Sequence, residues 1–146
     1  MSKTGGAASC TLLAMASIHV ETQMDVAPQQ AWEALRDWGA AHERLAPGFL
    51  TDSRVDGNDR VVTFFTGVTL TERILAVDDE RRRLVWSIID GPYSHHNGAA
   101  QVFDKDGSTL FAWTTDLLPE ETAPRTREMM ERGLEVIKAT LESNNT

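Results

Sequence analysis

From Phe49 to Leu117 the chain is a succession of short β-rich runs, each cut off by turn residues. The interruptions are "DGND" after Val55, Gly67, "DDERR" after Val77, "GPYSHHN" after Asp90 and "DKDG" after Phe103. Runs this close together leave no room for the crossover helices that parallel strands need, so they predict an antiparallel meander. A sheet of that kind has one apolar face and requires a second layer to cover it.

The flanks supply that layer. Ile18, Val20, Thr22 and Met24 alternate with His19, Glu21, Gln23 and Asp25, the pattern of a half-buried strand. Pro28 then opens "APQQAWEALRDWGAAHERLAP", where Ala31, Trp32, Leu35 and Trp38 recur at helical spacing. The stretch predicts two short helices, broken near Gly39 and stopped by Pro47. Pro119 ends the sheet and Thr122 or a neighbour caps a long terminal helix whose first turn tolerates Pro124. Met130, Gly133, Leu134, Ile137 and Leu141 form the apolar face of that helix. The fold class is therefore α+β: one strand, two short helices, six strands and a long helix.

Four stretches in this order, "VAPQQAWEALRDW", "LTERILAVDDERRRLVWSI", "STLFAWTTDLLPE" and "MMERGLEVIKATLE", make the chain from Ile18 to Glu142 resemble the START-like (SRPBCC) superfamily, and within it the bacterial polyketide cyclase/dehydrase-like group. The resemblance implies a helix-grip fold, a seven-stranded antiparallel sheet wrapped around the terminal helix with a cavity for a hydrophobic small molecule. It does not supply a reaction, because the fold hosts carriers and cyclases alike. On this reading residues 18–146 form one START-like ligand-binding domain, and residues 1–17, which carry no sustained period, form a flexible extension.

Composition narrows the function. A chain of 146 residues with 41% hydrophobic and 25% charged residues has the make-up of one globular domain with one core. Its net charge of -8 opposes nucleic acid and anionic membrane as partners, both of which attract a Lys/Arg surplus. The apolar run from Cys10 to Ala16 is too short to span a bilayer, so no membrane insertion is expected. A lone Cys10 cannot close an internal disulfide, which fits a reduced, cytoplasmic protein, monomer or homodimer.

Pairing arithmetic assigns faces. With "DKDG" as loop, Phe103 opposes Ser108, and counting outward sets Ala100 against Phe111, Gly98 against Trp113 and His96 against Thr115. Around "DDERR" the same count sets Ile74 against Trp86, Glu72 against Ile88 and Leu70 against Asp90. Across "GPYSH", Asp90 opposes His96 and Ile88 opposes Gly98. The apolar series Phe111, Trp113, Thr115 and Leu117 looks inward, so His96 points in while His95 points out, opposed to Asp116.

The candidate catalytic residues follow. His96 beside Asp90 makes a dyad suited to proton abstraction or ligand hydrogen bonding. Glu72 lies one row deeper among Ile74, Ile88 and Trp113, where desolvation would raise its pKa or a buried donor would hold it as structure. Trp38, Phe65, Leu70 and Ile88 are the expected apolar walls, with Tyr93, Trp113 and Thr115 beside them and Met130 and Gly133 contributed by the gripped helix. Adjacent strand positions point to opposite faces, so His95 and His96 do not share one ion, and neither a metal nor another cofactor is expected. Three functions remain in descending order: a binding or carrier protein for an apolar metabolite, a cyclase or dehydratase using acid/base catalysis, and a chaperone-activating interaction module.

Overall fold

The structure is a computed structural model and describes residues 15–144. Residues 1–14, with Cys10 and most of the expected extension, lie outside the described residues. The first strand, β1 (Ala16–Met24), begins two residues before Ile18, because Ala16 and Ser17 pair with Leu117 and Asp116. Residues 16 and 17 thus belong to the sheet rather than to the extension.

After β1 come α1 (Pro28–Arg36), a 3-10 turn (Trp38–Ala40) and the short α2 (Ala41–Arg44). Pro28 sits in the first turn of α1, where its missing N–H is no loss. Six strands follow: β2 (Leu50–Asp56), β3 (Asp59–Phe64), β4 (Thr69–Asp78), β5 (Arg83–Ile88), β6 (His95–Lys105) and β7 (Ser108–Leu118). A second 3-10 turn (Glu120–Thr122) leads into α3 (Ala123–Ser143). The sheet is antiparallel in the order β1-β7-β6-β5-β4-β3-β2, so the meander from β2 to β7 is completed by β1 on the far side of β7.

The helices cover one face. Met130, Gly133, Leu134, Ile137 and Leu141 of α3 are buried, joined by Ala31, Trp32, Ala34 and Leu35 of α1. Both helices are tied down at their ends. Lys138 donates from Nζ to the Gln23 carbonyl (2.8 Å), and Glu142 accepts from the Asp25 N–H (2.8 Å), which fixes the C-terminal part of α3 against the end of β1. Asp79, in the β4–β5 turn, accepts from Trp32 Nε1 (2.9 Å) and Arg36 Nε (2.7 Å), clasping α1 to the sheet. The Arg36 guanidinium and the Trp32 N–H hold the Asp79 carboxyl below its ordinary range.

The hairpin registers decide the site. In β6–β7 the loop is the two-residue turn Asp106–Gly107, both at positive φ, and Lys105 pairs with Ser108. Asp-Gly is the preferred sequence for this turn, because its backbone twist matches that of the strands. The pairs are therefore Ala100 with Trp113, Gly98 with Thr115 and His96 with Leu117, two residues from the count based on a four-residue loop. His95 opposes Leu118, and Asn97 rather than His95 opposes Asp116. β5–β6 shows the same displacement, with Trp86 paired to Gly98. Since strand faces alternate with period two, a slip of two leaves every side chain on its assigned face. In β4–β5 the pairs Ile74 with Trp86 and Glu72 with Ile88 stand as counted, and a bulge at Leu75 absorbs one residue towards the turn.

Candidate functional site

A cavity of about 490 Å³ lies between the sheet, α2 and the N-terminal half of α3. Its walls are mostly apolar: Leu70, Trp86, Ile88 and Trp113 come from the sheet, Leu45, Phe49 and Leu50 from α2 and the segment after it, and Met129 and Met130 from α3. Two glycines make room for the aromatic walls. A Cβ at Gly98 would lie 2.8 Å from the Trp86 ring, and one at Gly133 would lie 3.0 Å from Phe49 and 3.1 Å from Trp113. Gly133 is thus a packing position behind the wall.

The polar groups form one row across the strands. Arg60 on β3 opposes Glu72 on β4, Glu72 opposes Ile88 on β5, and the Ile88 N–H reaches the His96 ring on β6. Arg60 donates from Nε to Glu72 Oε1 (2.7 Å) and from Nη1 to the Trp38 carbonyl (2.9 Å). Both side chains of this ion pair are nine-tenths buried, and the Trp86 ring lies under the guanidinium, 5.7 Å away. Removing one partner of such a pair leaves an uncompensated buried charge, so the two side chains are interdependent.

His96 is 4% exposed. Its Nδ1 accepts the Ile88 backbone N–H at 3.1 Å. A backbone N–H only donates, so Nδ1 keeps its lone pair and the neutral ring carries its proton on Nε2. Nε2 has no protein partner among the described residues, and the ring lines the cavity. Burial, helped by the neighbouring His95, pushes the imidazole pKa down to about 4. Tyr93 packs against the ring, centroids 5.0 Å apart, and its hydroxyl meets Thr126 Oγ1 of α3 at 2.8 Å. A further donor, Trp113 Nε1, is buried without a partner.

Sequence reasoning placed Asp90 beside His96, and the structure separates them. β5 ends at Ile88, Gly91 turns the chain at positive φ, and the exposed Asp90 carboxylate accepts the Thr71 N–H at 2.9 Å. Leu70 faces the cavity without the Asp90 partner assigned to it. Trp38 and Phe65 are not among the lining residues either. Trp38 is held by its carbonyl on Arg60, and Phe65 is 40% exposed, with the Arg132 guanidinium over its ring at 4.4 Å. Leu70, Ile88, Tyr93, Trp113, Thr115 and Met130 do line the cavity, as do Glu72 and His96. His95 is exposed on the other face.

Arg60, Thr126 and Phe49 went unforeseen. Counting across Gly67 as the turn sets Arg60 opposite Ile74, two residues from its partner Glu72 but on the same face, whereas nothing in the sequence brings Thr126 to Tyr93. Among the described residues no group of three or more His, Cys, Asp or Glu gathers to hold a metal ion, and no helix is long and apolar enough to cross a membrane.

Residues 15–142 match the family model described as "Polyketide cyclase / dehydrase and lipid transport". The chain belongs to this family. No curated protein matches the sequence. Among solved structures, an uncharacterised protein from Bacillus thuringiensis is similar at a TM-score of 0.76 and 17% identity, over 86% of this chain and 98% of that one. The protein XoxI from Bacillus cereus is similar at 0.77 and 19%, over 86% and 95%. At such identities the likeness is one of fold, and it confirms the helix-grip architecture.

Proposed function

We propose that the protein binds a hydrophobic small molecule between the sheet and α3, as a carrier or sequestering protein. The observation that carries this reading is the cavity: about 490 Å³, apolar on most of its wall and reached by few polar groups. That size falls in the range of roughly 300–1,000 Å³ typical of ligand sites. Filling it with water would leave aromatic and aliphatic surface wet, at about 25 cal/mol per Å². An apolar guest removes that penalty. Membership of a family described by both cyclisation and lipid transport agrees with a bound hydrophobic molecule.

The test is native mass spectrometry of the purified protein before and after denaturing extraction, with uptake of an environment-sensitive apolar dye by the emptied protein. A bound apolar species, or saturable dye uptake that Ala100→Ile on the cavity wall weakens, supports the reading. A protein that is empty and takes up no dye overturns it.

A second reading, acid/base catalysis of the cyclase or dehydratase type, draws support from the buried Glu72 on the cavity wall. His96 would then act as a donor that polarises a carbonyl, since the lone pair a base needs is engaged by Ile88. A rate that depends on Glu72→Gln and stays flat through pH 6.5 would favour it over simple binding.

A further inference from the structure

On the sheet wall of the cavity, two sets of polar groups stand on either side of Ile88. At one end His96 offers Nε2–H, a donor only, because Nδ1 is engaged. At the other stands the Arg60–Glu72 pair. Arg60 uses Nε on Glu72 and Nη1 on Trp38, leaving Nη2 without a partner among the described residues. Glu72 receives Arg60 on Oε1, and its Oε2 is likewise without a partner. This end therefore offers one donor and one acceptor. Ile88 on β5 separates the two ends, so their backbones lie two strand spacings apart, roughly 10 Å.

The charges balance. Glu72 neutralises Arg60 at 2.7 Å, while at the margin Glu121 and Arg125 line the cavity with opposite charges and without an ion pair between them among the described residues. A carboxylate or phosphate placed at the His96 end or at the Arg60–Glu72 end would lose water without an unpaired cation there to receive it. A hydroxyl fits the Arg60–Glu72 end, because it donates to the carboxylate and accepts from the guanidinium at once. A carbonyl or ether oxygen fits His96, because it accepts and has nothing to donate.

We infer that the ligand class is a neutral, largely apolar molecule with a hydrogen-bond acceptor oxygen at one end, taken by His96, and a hydroxyl at the other, taken by Arg60 and Glu72. This deepens the binding reading and rests on it. His96 and the ion pair select the ligand by its two oxygens, and the aromatic walls select its body. The depressed pKa of His96 agrees, since a ring that stays neutral keeps a single defined donor towards the cavity.

The experiment is a titration of the delipidated protein, read by the fluorescence of Trp86 and Trp113, with two skeletons, a steroid and a linear chain. Each skeleton is offered as hydrocarbon, ketone, hydroxyketone and carboxylate; testosterone is the steroid hydroxyketone and palmitate the linear carboxylate. For the better-fitting skeleton the hydroxyketone should bind about tenfold tighter than the ketone and the ketone about tenfold tighter than the hydrocarbon, the effect of one desolvated hydrogen bond each. The carboxylate should be the weakest of the oxygenated members.

His96→Phe should erase the ketone step alone. The joint replacement Arg60→Met with Glu72→Leu avoids an orphaned charge and should erase the hydroxyl step alone. Far-UV circular dichroism checks that each variant folds, with His96→Leu, which likewise has no donor, as the second choice at that position. Equal affinities for hydrocarbon and hydroxyketone, a preferred carboxylate, or steps that survive both replacements would overturn the inference while leaving the binding reading intact. Failure of every member to bind would remove both.

Discussion

Because a backbone N–H can only donate, the Ile88 contact leaves His96 one proton to offer and no free lone pair. Protonating the ring would convert an acceptor into a second donor facing Ile88, in a site with little water. The consequence for stability has a definite sign. The unfolded chain titrates His96 near its ordinary value of about 6.5, and the folded chain near 4. Between those values the unfolded state binds the extra proton, so stability falls as pH drops from about 6.5 towards 4, by on the order of 3 kcal/mol. Above that window the contribution is constant. The measurement is urea unfolding from pH 7.5 to 4.5 for the wild type and for His96→Gln. The other three histidines are common to both chains, so the difference between the two curves isolates His96. Parallel curves would show that the ring is not desolvated. Gly98 supports a second expectation. Its absent Cβ leaves 2.8 Å to the buried Trp86 ring, so Gly98→Val should destabilise by about 1–3 kcal/mol and change the fluorescence of Trp86.

At the level of elements, the strands and hairpins were legible because alternation and turn residues are local signals. The turns were legible only in part. "DKDG" contains the Asp-Gly pair of a two-residue turn, and reading it as a four-residue loop displaced the register by two. The face of His96 survived, since two is the period of the pleat, whereas the neighbour did not. Asp90 was assigned to His96 on the premise that β5 continues to the loop, yet the strand ends at Ile88 and the carboxylate is used on Thr71. The loop between β5 and β6 is instead held by Tyr93 on Thr126, a contact between positions 33 apart that no periodicity encodes. This tie closes one side of the cavity. Tyr93→Phe removes one hydrogen bond, worth about 1 kcal/mol, without altering the ring against His96. The expected outcome is faster amide exchange in residues 89–94 and faster dye release, with global stability lowered by no more than that amount. Unchanged release would place the entrance elsewhere.

At the scale of the whole molecule, the order of elements and the wrapping of the sheet around α3 follow from amphipathic patterns that each need a partner layer. The cavity does not follow from those patterns, because an inward apolar side chain reads the same whether it meets another side chain or empty space. By this ambiguity Trp38 and Phe65 read as walls in the sequence, and Phe49, which lines the cavity, does not. The ambiguity also implies a conflict between stability and binding. Space kept open beside Ala100, which is buried next to Trp113 and Leu84 and lines the cavity, is surface that a more stable core would fill. Ala100→Ile adds apolar volume there in a residue type suited to a strand. Cavity volume is destabilising by about 24 cal/mol per Å³, so filling part of it should raise the melting temperature by a few degrees, given about 2–4 °C per kcal/mol at this size. The same substitution should weaken dye uptake several-fold. Thermal unfolding monitored by circular dichroism alongside dye titration reads both effects. A lower melting temperature would mean that the wall at Ala100 is already close-packed, and unaltered uptake would place the bound molecule nearer Tyr93, Thr126 and Met129.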